Sequence, residues 1–401
     1  MLNTIDLFAG CGGLTKGFEQ SSHFKMLAAV EWDKDAHATL RDRLIHAHGY
    51  KDAAKRCILA DIQDTKSLIY GKDADDELPS HEGLDALVND KKVDVIIGGP
   101  PCQAYSVAGR IRDENGMHED YRNYLFESYM AVVNHFKPAA CIFENVPGML
   151  SAAPGGISII ERISAAFKKS GYEISSNLKG QATLDVSEFG VPQKRKRVII
   201  AAFRRDLHEN PKNVVDQFYL NLSSEKTSAI TTVKEAIGGL PKLYPIKGAN
   251  GKKSHTEDEL NFVAHHEPRF HSQRDIEIFE MLAEDISSGR NRYTSSDALK
   301  ALYTEKTGKK SAVHKYYVLR DSMPSNTIPA HLYKDGLRHI HPDPKQARSI
   351  TVREAACLQS FDLNFMFKGP NGSKYKMIGN AVPPLFAKKI AISLQRTIVQ
   401  T

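Results

Sequence analysis

Asp6-Leu7-Phe8-Ala9-Gly10-Cys11-Gly12-Gly13 joins a short apolar run, Thr4 to Phe8, to a stretch with helical spacing, Leu14 to Gln20, through small residues. A strand that turns on glycine into a helix lets backbone approach a nucleotide-like ligand without Cβ obstruction. Thr15 breaks the GxGxxG spacing of dinucleotide folds, so on its own the run is equally a tight turn. Outward from it, Met26 to Val30, Val93 to Ile97, Ala140 to Phe143 and Val198 to Phe203 read as strands. Between them Ala36 to Ile45, Tyr124 to Phe136 and Ile159 to Lys169 carry apolar residues at helical spacing, as crossover helices do. The alternation predicts an α/β domain with a doubly wound, mostly parallel sheet.

Several chemically capable residues fall at the carboxyl ends of these strands, where open α/β sheets bind ligands. Glu31 ends the second strand, about 20 residues past the glycine turn, where a carboxylate accepts hydrogen bonds from ribose hydroxyls. Trp32, the sole tryptophan, follows; exposed there it can stack on a purine, and buried it would be a core aromatic. Asp61 ends a third strand-like piece and can accept an exocyclic amino group, although an Asp after Ala60 is also a plain turn signal. Gly98-Gly99-Pro100-Pro101-Cys102-Gln103 puts a thiol in a constrained loop after Val93 to Ile97. Glu144-Asn145-Val146 leaves the next strand at the same edge, so a thiol and a carboxyl face one cleft. If the run Gln193 to Arg197 is extended, Gln193, Arg195 and Arg197 share one face, and Lys194 and Lys196 the other. It is then either a solvated basic loop or a pair of guanidinium forks aimed at phosphate and a base.

Composition narrows the class. Among the 401 residues, 41% are hydrophobic and 25% charged, enough for two or three packed domains. Val93 to Ile97, the most apolar segment, is far short of the roughly 20 residues of a membrane span. Met1 passes into Asn3 and Asp6 with no signal-like stretch, and the expected compartment is the cytoplasm, away from membranes. The five cysteines are odd in number, scattered and without CxxC spacing, which argues against a disulfide framework and a zinc site; no metal is expected. Cys11, Cys57 and Cys141 are expected as buried packing residues. A charge of +6 and a pI near 8.8 suit a polyanionic partner. Regular alternation fades after about residue 205, where stretches such as Gly248 to His255 and Thr304 to Lys310 take over. It resumes at Thr351-Val352-Arg353-Glu354, a capping-box spacing, and closes with a helix from Pro384 to Val399. The expected domains are 1–205, catalytic and cofactor-binding; a smaller one over 206–345; and a segment, 346–401, returning to the first.

Taken in order, Asp6 to Gly13, Glu31-Trp32-Asp33, Gly99-Pro100-Pro101-Cys102-Gln103, Glu144-Asn145-Val146, Gln193-x-Arg195-x-Arg197, Arg353-Glu354-Ala355-Ala356 and Gly379-Asn380-Ala381-Val382-Pro383-Pro384 resemble the motif set of the DNA cytosine-5 methyltransferases. The resemblance, to the bacterial or phage restriction-modification type, covers both ends of the chain. It implies an S-adenosylmethionine-dependent methyltransferase fold with a second, target-recognition domain. In it Phe8, Gly10 and Gly12 surround S-adenosylmethionine, Glu31 takes the ribose, Trp32, Asp61 and Ile62 the adenine, and Pro100 and Asn380 lie nearby. Cys102 becomes the nucleophile on carbon 6 of a flipped-out cytosine. Glu144 assists at the ring, and Arg195 and Arg197 hold the base and backbone. The implied partner is double-stranded DNA and the implied state a monomer. Two positions depart from the pattern: Tyr105 stands where Phe is usual and Cys357 where Arg is common. Two alternatives stay open. An RNA (transfer RNA) cytosine-5 methyltransferase shares the motifs, but the long stretch 206–345 speaks against it. An NAD-dependent oxidoreductase would leave Pro-Pro-Cys-Gln and Glu-Asn-Val unexplained.

Overall fold

The computed structural model describes residues 1–101, 125–153, 156, 158–246, 253–256, 261–334 and 336–400. They fall into two compact bodies: Met1–Phe189 with Arg195–Ser228 and Ala381–Thr401, and Gly190–Lys194 with Ala229–Asn380.

The first body is built on a sheet of eight strands: β1 Leu2–Leu7, β2 Phe24–Glu31, β3 Cys57–Leu59, β4 Val95–Gly98, β5 Ala140–Asn145, β6 Tyr172–Ile174, β7 Thr183–Asp185 and β8 Lys196–Arg204. The order is β3-β2-β1-β4-β5-β8-β6, with β7 also paired to β8. Neighbours from β3 to β5 run parallel, whereas β8 is antiparallel to β5, β6 and β7. β4 and β5 are buried along their whole length, the signature of a sheet covered on both faces. Each of their fully buried Val, Ile or Phe side chains contributes roughly 1.5–3 kcal/mol. The chain winds outward from β1 to β3 and then returns to β4 on the other side of β1. The carboxyl ends of β1 and β4 therefore flank a topological switch point.

The crossover helices obey their sequence. In Ile159–Lys169 the buried residues Ile159, Ile163 and Phe167 recur every four positions, and the Ser158 side chain caps the first turn. The helix Pro384–Gln400 belongs to this body, where Glu225 receives Lys389 at 3.0 Å and Arg396 at 2.6 Å. The sequence suggests a boundary near 205, but the chain stays with the first body to Ser228. The reason is the helix Pro211–Ser224: its Tyr219 hydroxyl donates to the Ile199 carbonyl of β8 at 2.9 Å.

The second body has a core of Phe279, Leu282 and Ala283 from the helix Gln273–Ser287, Leu302 from Ser296–Thr307, and Tyr316, Val318 and Ile340. The capping box at Thr351 forms as its spacing predicts: the Thr351 hydroxyl accepts from the Glu354 amide, and the Thr351 amide donates to the Glu354 carboxylate. That carboxylate also takes a two-pronged, fully buried ion pair from Arg348, 2.7 Å on each prong, which holds its pKa far below the usual carboxylate range despite burial. Arg353 spans three carbonyls, those of Ala264, Asp362 and Phe365. These bonds tie residues 348–365 into this body. Among the described residues no helix is long and apolar enough to cross a membrane.

Candidate active site

The glycine turn after β1 is a sharp reversal. Phe8, Gly10 and Gly12 all adopt positive φ, at 60°, 58° and 87°, a conformation costly for Phe8 and free for the glycines. Gly12 caps the helix Gly13–Gln20 with no side-chain hydrogen bond. Beneath the turn the Thr15 hydroxyl donates to the buried Asp6 carboxylate at 2.6 Å, and burial pushes Asp6 up to about 7. Glu31 clamps the turn from the neighbouring strand: one carboxylate oxygen accepts the Gly10 amide and the other the Asp33 amide, both at 2.7 Å. Burial raises its pKa against these two bonds. A carboxylate has about four acceptor sites, so lone pairs remain for two hydroxyls.

Trp32 follows with 56% of its surface exposed, so it is no core aromatic. Asp33 caps the helix Lys34–His46 through the amides of Asp35 and Ala36. The Ala60 amide donates to the Glu31 carbonyl at 3.1 Å, which brings Asp61 and the buried Ile62 to the edge that carries Trp32. Asp61 accepts the Gln63 amide at 2.9 Å. The structure thus gathers Phe8, Gly10, Gly12, Glu31, Trp32, Asp61 and Ile62 along the carboxyl ends of β1, β2 and β3. Pro100 lies buried just past β4. Asn380 is the exposed last residue of the second body.

A second cluster of candidate residues is built on β4, β5 and β8. Glu144 and Ile199 are opposed in the antiparallel β5–β8 register, so Glu144 shares a face with Ile199 and, by the two-residue period, with Arg197. The Arg197 Nε meets the Glu144 carboxylate at 2.8 Å, both groups nearly buried. Burial pushes the Glu144 pKa up, and Arg197 and then Arg195 pull it down. Gly99 lies against the other carboxylate oxygen: a Cβ there would sit 2.7 Å from it. Below, the buried Tyr129 hydroxyl donates to the Ile96 carbonyl at 3.1 Å and lies 3.4 Å from that of Ile142, tying β4 to β5. Arg195 is almost completely buried; its amide donates to Asp185 and its Nη2 to the Ala381 carbonyl. Lys194 and Lys196 are exposed, as the alternation predicts. The description of the loop ends at the exposed Pro101; Cys102 and Tyr105 lie outside the described residues.

The roles of Gly99, Tyr129, Asp185 and the Ala381 carbonyl have no signal in the sequence except at Gly99, where paired glycines before Pro100-Pro101 mark a close approach. Cys11, Cys57 and Cys141 are buried, with thiols pushed up by burial to about 12 for Cys11, and higher for Cys57 and Cys141. They are poor nucleophiles.

Comparison with known proteins gives the family and the fold. The sequence profile of the C-5 cytosine-specific DNA methylases matches residues 2–396. The type II methyltransferase M.Bpa9945I of Bacillus paralicheniformis is 32% identical, covering 98% of each chain. The type II methyltransferase M1.HphI of Haemophilus parahaemolyticus is 29% identical over 97% of this chain and 86% of its own. In fold, the chain is similar to a putative DNA modification methyltransferase encoded within an E. coli prophage, with a TM-score of 0.64, 22% identity and full coverage of both chains.

Proposed function

From the chain's membership of the C-5 cytosine-specific DNA methylase family, of restriction-modification type, we propose that it moves a methyl group from S-adenosylmethionine to carbon 5 of a cytosine flipped out of duplex DNA, through a covalent Cys102 adduct. The observation that carries this is the buried Glu144 carboxyl, held by Arg197 and pressed on Gly99 at the sheet edge from which the Cys102 loop departs.

The cofactor's fit rests on Glu31, whose remaining lone pairs suit ribose hydroxyls, and on the glycine turn, where Gly10 leaves open space that only a Cβ would fill: one built there meets no atom within 4 Å. Trp32, Asp61 and Ile62 would bound the adenine, with Pro100 contributing. When bound, S-adenosylmethionine supplies an electrophilic methyl group on sulfur. Carbon 5 of cytosine is too weak a nucleophile to take it unaided. Attack of the Cys102 thiolate on carbon 6 pushes an electron pair into the ring and makes carbon 5 an enamine carbon. Glu144, poised between burial and two guanidiniums, shares a proton with ring nitrogen 3 and so offsets the charge that attack creates. Arg197 fixes that carboxyl, and with Arg195 holds the base and backbone. Loss of the carbon 5 proton, to water, then expels Cys102. Neither face of a stacked base admits a thiol on one side and a methyl donor on the other, so the cytosine must leave the helix.

Target choice, expected from the sequence in 206–345, is proposed for the second body, and double-stranded DNA for the substrate of a monomer. Transfer of labelled methyl groups to duplex DNA and to transfer RNA tests the reading: incorporation into cytosine of DNA supports it, and incorporation into RNA alone overturns it.

A further inference from the structure

The second body carries a run that the chemistry above leaves unused. Residues 306–320, Lys-Thr-Gly-Lys-Lys-Ser-Ala-Val-His-Lys-Tyr-Tyr-Val-Leu-Arg, hold five cations and no acid. Lys306 pairs with Glu305 at 3.1 Å. Lys309 and Lys310 are exposed and Lys315 half-buried, and no ion pair engages these three among the described residues. Val313, between them in sequence, is 58% exposed.

Two arginines, the run's own Arg320 and the Arg338 that meets its His314, are held in place. The Arg320 guanidinium stacks on the Tyr317 ring at 5.3 Å, and its Nη1 donates to the Val318 carbonyl. One edge of its planar fork is thereby fixed. Arg338, exposed, is held through His314. The His314 Nδ1 lies 3.1 Å from the Tyr316 carbonyl, which assigns the proton to Nδ1 and leaves Nε2 to accept from Arg338 Nη2 at 3.5 Å. An exposed arginine is ordinarily spread over many rotamers. One tethered by a ring or an imidazole has less freedom to lose on binding.

We propose that this face reads the DNA target: Arg320 and Arg338 contact base edges, and Lys309, Lys310 and Lys315 hold the phosphate backbone. A guanidinium fork matches the N7 and O6 acceptors of guanine in the major groove, a contact that discriminates among base pairs. A lysine matches any phosphate and reads no sequence. The proposal rests on the DNA-methyltransferase reading above and adds which residues set its specificity.

The test uses the full-length enzyme on a plasmid library with randomised flanks, scored by bisulfite sequencing. Arg320→Lys and Arg338→Lys keep the charge and lose the fork. Each is expected to relax preference at one base pair by about tenfold or more, with cofactor binding retained. Lys309→Gln/Lys310→Gln/Lys315→Gln together should weaken binding to all sequences alike. They should also reduce the slope of log affinity against log salt by about 2.7, roughly 0.9 per phosphate contact. Arginine variants with unaltered base preference at every position, together with a lysine variant of unaltered salt slope, overturn the proposal while leaving the methyltransferase reading in place. A wild-type enzyme that methylates no duplex DNA overturns both.

Discussion

Replacing Gly99 by alanine adds a single methyl where the chain leaving β4 passes the Glu144 carboxylate. The new Cβ would lie 2.7 Å from Oε2, against the 3.4 Å at which ordinary contact begins. One of the two groups must therefore give way by about 0.7 Å. Glu144 cannot swing freely, because Arg197 holds its other oxygen at 2.8 Å. The backbone of Gly99 cannot retreat easily either, because Gly98 already lies so close to the Leu7 carbonyl of β1 that a Cβ there would come within 2.6 Å of it. Displacements near 1 Å in a reacting constellation cost on the order of 10²-fold in rate. Gly99→Ala should thus lower the single-turnover rate of methyl transfer by roughly 10- to 100-fold while the affinity for S-adenosylmethionine, read from Trp32 fluorescence, stays within about twofold. A rate within about threefold of wild type, in a protein of unchanged melting temperature, would refute the claim that Glu144's position matters to the reaction.

Glu31→Ala should weaken cofactor binding by about 1–3 kcal/mol, the cost of lost hydrogen bonds to a charged acceptor, and unchanged affinity by titration calorimetry would move the ribose contact elsewhere. Breaking the buried Arg348–Glu354 pair with Arg348→Met leaves a carboxylate stranded and should destabilise the protein by about 3–5 kcal/mol in urea unfolding; a loss under about 1 kcal/mol would contradict the pairing. His255, His265, His339 and His341 are held neutral by burial, with pKa values near 4, and His271 near 3. Unfolded, these histidines take up protons around pH 6.5; folded, they resist until about pH 4. The unfolded state thus binds more protons in that window, and the melting temperature should fall steadily from pH 6.5 towards pH 4. A melting temperature flat between pH 7 and pH 5 would contradict their burial.

The parallel half of the sheet was legible because strands buried on both faces are continuous apolar runs: Val95–Gly98 and Ala140–Asn145 stand where the sequence puts them. The direction of β8 was not, since an apolar run is the same read either way. The contact of Arg197 with Glu144 depends on that antiparallel register, so the two residues were legible as candidates and their pairing was not. Three-residue strands such as Tyr172–Ile174 are too short to leave a periodic signal. In the second body the helix Gln273–Ser287 did leave one, with Ile276, Phe279, Leu282 and Ala283 on one side, but its charged outer face masks it among polar neighbours. The boundary drifted for a physical reason too: Pro211–Ser224 packs on β8 through Tyr219, and an amphipathic helix does not announce which body will bury it.

The central claim is that carbon 5 is reached only after Cys102 has bonded to carbon 6. Fluorine at carbon 5 cannot leave as a cation, so a duplex carrying 5-fluorocytosine at the target position stalls the reaction after methyl transfer. Incubated with S-adenosylmethionine and then denatured, the enzyme should remain joined to DNA, with peptide mapping to Cys102 and no adduct in Cys102→Ser. An adduct at Cys11, Cys57, Cys141 or Cys357, or full methylation of ordinary DNA by the serine variant, would contradict it.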